Sequence, residues 1–514
     1  MTEQDLGEKH QAGSRIKYVL LVIVPLYLYL SLFSLSALPF YQDGDQTFFW
    51  EYAMRMLYGE VVYRDFFQFT PPGTDLIFLA VFRIFGLHAW VFGFVVILIG
   101  ALLCWICLSI SRQIMDAPSA LLAMSLFLVF VFGKTLGATH HWFSLFAALC
   151  AVRVLMRART SAGAAFAGVL LAIASFFTQT TGAVVLIAVL LFLAWDESSL
   201  PSKWPAVLKL QSLLLFTFCV TLFILNAWFI WKAGWRQIWY CQVTFPAHYV
   251  EYGRHMLFPG LHRQDGGGVS LRNVLDLARR LLLYLLPFVV YPLIGWQALR
   301  RRQDQAGGVR RSVILCAFAG AALWLEMITR SNWVRISVIA MPAIILLVWA
   351  GTRKAGIRRC LLGTGWVLVL ACAIAHIWSR QHQNLCVTQL PIGKVLLPPP
   401  EHEKLSLLAQ DTKPGEYFFQ AMWLNVYPAL MLRSPAFVDE LWASETTRPE
   451  YAERTLQQLQ QRQVTYILWS PRLNSPMNPA RPWEYHLNAI HAWLRSHYRL
   501  IHIFSDQDEL WQKN

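Results

Sequence analysis

The densest run of polar side chains in the 514-residue sequence opens with Tyr41-Gln42-Asp43-Gly44-Asp45 and continues to Gly73. Asp43 and Asp45 are residues of a type that takes a proton from an attacking hydroxyl or amine, or aligns that nucleophile. They also stand before Thr47–Tyr58, whose apolar spacing predicts a short helix, so Asp45 is equally placed to cap its first turn. Two positions apart, they do not make the carboxylate pair that flanks the scissile bond in glycoside hydrolases. Tyr63-Arg64-Asp65 and Pro71-Pro72-Gly73 follow, as substrate contacts or as the scaffolding of a loop.

A second group lies in Gly133-Lys134-Thr135-Leu136-Gly137-Ala138-Thr139-His140-His141-Trp142. Lys134, His140 and His141 offer a cation and hydrogen-bond donors for a phosphate or an acceptor, or simply hydrate a helix end. Adjacent histidines chelate poorly on a helix, where i and i+4 spacing serves, while a Mg²⁺ or Mn²⁺ ion held by carboxylates stays open. Gln179 lies at a polar break, and Arg330, Asn332 and Arg335 lie in a short loop where an arginine either grips a phosphate or snorkels toward headgroups. Glu326 sits inside an apolar run, a costly place for an acid, with Arg330 one turn on as its expected partner. The aromatic segment from Trp235 to Tyr252, with His248, Tyr249 and Glu251, reads as a lid or as an interfacial anchor.

What must position these residues is a membrane. Hydrophobic residues make up 56% of the chain and charged ones only 14%, about half the share of a soluble protein. That excludes an ordinary cytosolic enzyme, a disordered chain and a disulfide-rich secreted module. The net charge of +14 does not form a nucleic-acid stripe, because the basic residues gather at the ends of apolar runs. Most of the nine cysteines lie inside those runs as small hydrophobes, Cys104 and Cys107 among them, and nothing pairs Cys241 with Cys386.

Apolar runs long enough to cross occur near Tyr18–Leu38, His88–Ile110, Pro118–Phe132 and His141–Met156, then near Lys209–Trp231, Arg280–Leu299, Ser312–Ile328, Trp333–Ala350 and Cys360–Trp378. Ala164–Trp195 is too long for one crossing and is broken by Thr178-Gln179-Thr180-Thr181-Gly182, so it reads as two short helices at a tight turn. About eleven crossings result. The first run lacks a small-residue cleavage site and is read as a retained span.

With the N-terminus in the cytoplasm, the alternation puts Arg112, Arg153, Arg157, Arg159, Arg310, Arg311, Arg353, Lys354, Arg358 and Arg359 on that side. Splitting the long run keeps this bias consistent. Segments 39–87 and 232–279 and everything after Arg380 then face outward. Residues 1–380 read as a multi-spanning catalytic domain and 381–514 as a small extracytoplasmic α/β domain. Its expected strands are Glu416–Gln420 and Val464–Trp469, its helices Pro449–Gln463 and Trp483–Tyr498, with a closing hairpin at Arg499–Gln512. Pro398-Pro399-Pro400 reads as a stiff spacer.

The stretch from Asp45 through Gly59, Tyr63-Arg64-Asp65-Phe66-Phe67 and Pro71-Pro72-Gly73 to Phe85-Gly86 resembles the first outer loop of GT-C glycosyltransferases. The similar groups are the protein O-mannosyltransferases and the bacterial transferases that move aminoarabinose from a polyprenyl carrier to lipid A. Where many relatives carry Asp-Glu, this chain has Asp45-Gln46, with Asp43 two residues earlier. The resemblance implies an all-α polytopic bundle with a soluble tail, and transfer of a sugar from a polyprenyl phosphate to a lipid, glycan or protein acceptor. It implies Asp45, or else Asp43, as the base of an inverting reaction. Asp65, Arg64, Tyr63, Lys134, His140, His141, Gln179 and Arg330 are the substrate-binding candidates, with the loop around Lys134 facing the first loop.

The expected location is the inner (plasma) membrane, with the tail outside and no nucleic-acid partner. The alternative is a flippase of a lipid-linked saccharide, against which stands the lack of detectable repeat halves. A third reading is a glycan-binding assembly protein that binds without turnover.

Overall fold

The computed structural model describes residues 18–42, 44–157, 159–197, 204–248, 271–300, 307–328 and 333–514. Among them, eleven long helices occupy the expected runs: 19–32, Ala89–Ser111, 117–135, His140–Arg157, Ser161–Phe177, Gln179–Glu197, Trp204–Ala233, Leu271–Arg300, Gly307–Ile328, Trp333–Thr352 and Ala355–Gln381. Eight are long and apolar enough to cross a membrane, and the chain is an integral multi-pass membrane protein. Val19–Leu32 and Ser161–Phe177 are apolar but shorter. His140–Arg157 carries two histidines and two arginines, which dilute its hydropathy. Trp204–Ala233 exposes Phe216, Phe223, Ile224 and Trp231, and Ala355–Gln381 exposes Val367, Leu370, Ile374 and Trp378. Hydrocarbon is the solvent in which such faces are stable, because their backbone groups are all satisfied within the helix.

The chain forms two compact units. The first comprises residues up to Ser31, Val95–Ala227 and Val250–Gln381, and holds most of the membrane helices. Its long apolar run does divide: Thr178 is extended (φ −140°, ψ 110°) between helices Ser161–Phe177 and Gln179–Glu197. Gly182 lets the two arms meet, since a Cβ there would lie 2.2 Å from the Leu171 carbonyl oxygen and 2.3 Å from Ser175 Oγ. The basic turns assigned to one side meet one another. Arg358 pairs with Asp116, and Asp196 pairs with Arg159 and, at 3.2 Å, with Arg311. The opposite ends meet likewise, through His140 and Thr178 and through Glu326 and Thr181. A π-helical stretch at Leu128–Phe132 ends at Gly133, where a Cβ would lie 2.5 Å from the Tyr27 hydroxyl. That wider turn loosens the carbonyl ladder, and Arg279 donates to the Phe130 oxygen at 3.2 Å.

The second unit gathers Leu32–Phe94, Trp228–Tyr249 and His382–Asn514. Helices Gln46–Leu57 and Gly73–Phe85 pack together, with Trp50 stacked on Phe92 (3.9 Å between ring centroids) and edge-on to Phe78. Strands β1 (Cys386–Leu390) and β2 (Gly393–Leu397) form an antiparallel hairpin. The start of the first loop joins its edge: Tyr41 N–H donates to Leu396 O, and Leu396 N–H to Pro39 O. A four-stranded sheet follows in the order β3 (Phe419–Gln420), β4 (Tyr466–Trp469), β6 (Glu509–Lys513), β5 (Tyr498–Ile503). β3 runs parallel to β4 and the other pairs are antiparallel, β5 and β6 forming the expected closing hairpin.

Helix Pro449–Arg462 matches the pattern of the sequence, whereas the helix expected at Trp483–Tyr498 starts only at Asn488 and runs to His497, after a short 3-10 turn at Pro482–Glu484. Pro398-Pro399-Pro400, however, is not a spacer: Pro399 and Pro400 open the helix Pro399–Asp411. Proline's fixed φ suits the first turn, where its missing N–H costs nothing. Lys404 of that helix is buried against Asp508 (2.7 Å) and Asp506. All nine cysteines are unpaired thiols, Cys241 buried in a π-helical turn and Cys386 in β1.

Candidate functional site

Gly44 (φ +107°) turns the chain into helix Gln46–Leu57. Thr47 closes that turn on itself, its Oγ1 donating to the Gly44 oxygen at 2.8 Å. Asp45 occupies the N-cap position but with helical dihedrals (φ −51°, ψ −25°) and no side-chain capping hydrogen bond. An N-cap side chain normally reaches back from extended backbone. Here the carboxylate is exposed at the mouth of the helix, and the capping role is not what holds it. Asp43 lies outside the described residues.

The helix behind Asp45 is anchored by charge. Arg55 is 3% exposed. Its Nε donates to Glu60 Oε2 at 2.6 Å, and its Nη1 donates to Ala436 O at 2.9 Å and to Asp439. Phe66 lies beneath the guanidinium at 4.7 Å. Glu51, one turn earlier, is fully buried, and neither carboxyl oxygen has a well-formed hydrogen bond among the described residues. Burial, then the nearby Asp439, pushes the Glu51 carboxyl well above the usual carboxylate range, against the pull of Arg55. Burial likewise raises Asp439 to about 6, although Arg55 opposes it. Three acids around one buried arginine cannot all be charged cheaply, so Glu51 keeps its proton.

The other sequence candidates of this loop hydrogen-bond to neighbouring protein groups. Arg64 grips Asp65 with two hydrogen bonds of 2.9 and 2.7 Å, and Asp65 Oδ2 accepts the Val61 N–H at 2.7 Å. Burial pushes Asp65 up, but these bonds hold its carboxyl below the usual range. Tyr63 is buried at φ +71°. Its hydroxyl donates to Thr70 O and accepts from Gln242 Nε2, both at 2.9 Å. Asp75, next to the Pro-Pro-Gly turn, was not anticipated. It is fully buried, and burial raises its carboxyl to about 8 against a weak pull from Gln68.

The tail supplies what the sequence left without a motif. Glu440 follows Asp439, and its Oε2 accepts from Trp442 Nε1 at 3.0 Å. The backbone N–H of Trp423, a residue in the left-handed region at φ +66°, also favours its charged form. Burial, with the Asp45 charge adding to it, still raises Glu440 to about 7. The one available signal was two acids in a row, Asp439-Glu440, amid apolar residues.

In the first unit a second polar cluster forms within the helix ends. His140 Nδ1 lies 2.8 Å from Thr178 Oγ1, and the His140 and His141 rings overlap at 3.9 Å. Thr181 Oγ1 donates to Glu326 at 3.0 Å, and Thr180 donates to it as well. Arg335 is near enough to act electrostatically on Glu326, His140 and His141. Gln179 is half-buried beside them in sequence. Arg330, the partner expected for Glu326, lies outside the described residues, as do Asn332 and 249–252. Lys134 is exposed, with its Nζ 3.4 Å from His376 Nδ1. Among the described residues no three His, Cys, Asp or Glu side chains are grouped to hold a metal ion.

No protein-family model and no curated protein matches the sequence. Solved structures match the fold. ArnT from Cupriavidus metallidurans, bound to undecaprenyl phosphate, is similar over 97% of this chain and 98% of its own, with a TM-score of 0.60 and 12% identity. The apo oligosaccharyltransferase of Archaeoglobus fulgidus is similar over 89% of this chain and 70% of its own, with a TM-score of 0.50 and 11% identity. AglB of the same organism, in complex with an inhibitory peptide and a dolichol-phosphate, is similar over 99% and 74%, again with a TM-score of 0.50 and 11% identity. At such identities the likeness is one of fold: this chain shares the architecture of ArnT and of the archaeal oligosaccharyltransferase.

Proposed function

We propose that the protein is a membrane glycosyltransferase that moves a sugar from a polyprenyl-phosphate carrier to a lipid, glycan or protein acceptor. The observation that carries the reading is Asp45: an exposed carboxylate on a rigidly anchored helix, in a fold shared with structures that hold undecaprenyl phosphate or a dolichol-phosphate. The charge bias of the turns favours a cytoplasmic N-terminus and an outward first loop and tail, a side without nucleotide sugars. A lipid-borne donor suits that side.

In the reaction the acceptor oxygen or nitrogen attacks the anomeric carbon. The bond from that carbon to the phosphate oxygen breaks, and polyprenyl phosphate leaves with the electron pair. The acceptor's proton passes to Asp45, and attack from the face opposite the phosphate inverts the centre. Arg64, Asp65 and Tyr63 serve by holding the loop in shape rather than by touching substrate.

Asp45→Asn and Asp43→Asn, each assayed for transfer from lipid-linked sugar in membranes, test the assignment. Loss of a positioned base costs about 10²- to 10⁴-fold, and that loss is expected for Asp45→Asn. Full activity of both variants at normal expression would remove the mechanism. Release of free polyprenyl phosphate on adding acceptor separates transfer from flipping, which leaves the glycosyl-phosphate bond intact.

A further inference from the structure

The tail lies against the helix that begins at Asp45. Arg55 of that helix holds Ala436 O and Asp439, Phe67 N–H donates to Phe437 O at 2.7 Å, and Tyr41 Oη donates to Asn425 O at 2.7 Å. These contacts fix segment 436–442 and bring Glu440 within electrostatic reach of Asp45. Glu440 Oε2 is held by the Trp442 indole, while its Oε1 is shielded from water with no hydrogen-bond partner among the described residues. A shielded carboxyl oxygen without a donor is an arrangement suited to a protonated acid. The groups acting on it are Asp45 from the helix mouth, the Trp442 indole, the Trp423 N–H, and Tyr52, a half-buried phenol whose proton is retained by desolvation and then by Asp439 and Glu440. Asp439 itself is turned to Arg55.

We propose that Glu440 is the second carboxyl of the Asp45 site, a positioning residue that carries or releases a proton and so sets the charge against which Asp45 and the anionic donor meet. The proposal rests on the role given to Asp45 above. With its proton in place, Asp45 is the only anion of the pair and the donor phosphate approaches one negative charge. Once the proton goes to solvent, two adjacent carboxylates repel the phosphate-bearing donor. The affected quantity is kcat/KM for the lipid-linked donor. It falls as pH rises through the point where Glu440 ionises, about 7.

The test is the pH profile of kcat/KM for the donor between pH 5.5 and 8.5, using full-length protein in membranes. The wild type is expected to lose roughly fivefold across that limb, the effect of one added like charge near a surface. In Glu440→Gln the limb is absent, whatever its maximal rate. Trp442→Phe removes the donor that favours the anion, so its limb moves to higher pH by up to about one unit. A wild-type limb that persists unchanged in Glu440→Gln, or one that Trp442→Phe leaves in place, overturns the proposal. A merely structural role for Glu440 would lower the rate at every pH and leave the limb where it was. Full activity of both Asp45→Asn and Asp43→Asn would overturn the function proposed above instead, so the two failures are distinguishable.

Discussion

Two regions of the molecule bury polar groups, and they do so by opposite means. Around Arg55 the second unit gathers Glu51, Glu60 and Asp439 on one guanidinium. At the ends of the membrane helices the first unit surrounds Glu326 with threonine hydroxyls and pairs His140 with Thr178. The first solution is over-supplied with acid and relies on one arginine and one retained proton. The second uses hydroxyl donors, each of which contributes a single hydrogen bond. The difference teaches where rigidity is built: an ion cluster fails abruptly when its centre is removed, whereas a hydroxyl network loosens by single hydrogen bonds.

Removal of the cluster's centre should have the largest effect. Arg55→Ala leaves Asp439 without its cation and Glu60 with only the longer contact to Arg433 at 3.9 Å, and a loss of about 3–5 kcal/mol is expected. Thermal unfolding in detergent measures it, and a fall in Tm no larger than that of a surface arginine would mean the cluster anchors nothing.

Asp75 sharpens the contrast through pH. Its carboxyl is raised to about 8, so the folded protein holds a proton that the unfolded chain has already released near pH 4. Stability contributed by that proton is present at low pH and lost as pH rises toward 8. Asp75→Asn, which cannot ionise, should therefore gain Tm relative to wild type steadily from pH 5 to 8.5. A constant gap would show that Asp75 is solvated or paired after all.

The smallest effect belongs to the membrane cluster. Thr178→Val removes the hydroxyl that meets His140 and should cost about 1 kcal/mol, read as a small fall in Tm. A loss approaching that of Arg55→Ala would erase the distinction between the regions.

Much of the architecture was legible before any coordinates, because hydrocarbon imposes a simple rule on length and polarity. Eleven runs and the break near Thr178 are where hydropathy and basic turns put them. The tail's helices and closing hairpin followed from periodicity. Pro398-Pro399-Pro400 was misleading because a proline run suits both an extended spacer and the first turn of a helix, and only the burial of Lys404 chooses between them. The hairpin of β1 and β2 was invisible for a related reason: its partner is the start of the first loop, over 300 residues away.

The candidate site was legible in part. Asp45 stood out because an exposed acid at the end of an apolar span is conspicuous in one dimension. Tyr63, Arg64 and Asp65 look like binding residues in sequence, yet they hydrogen-bond to Thr70, Val61, one another and Gln242. Glu51, Asp75, Asp439 and Glu440 carry no local signature, since a carboxyl's protonation depends on what is packed around it.

By itself the sequence determined that this chain lives in a membrane, where it crosses, and that an acid waits at the first exit, because those properties depend on local composition alone. Only the tertiary structure decided which acids are charged. Burial and the neighbourhood of Arg55 or Asp45 set that, and both arise from residues brought together from opposite ends of the chain.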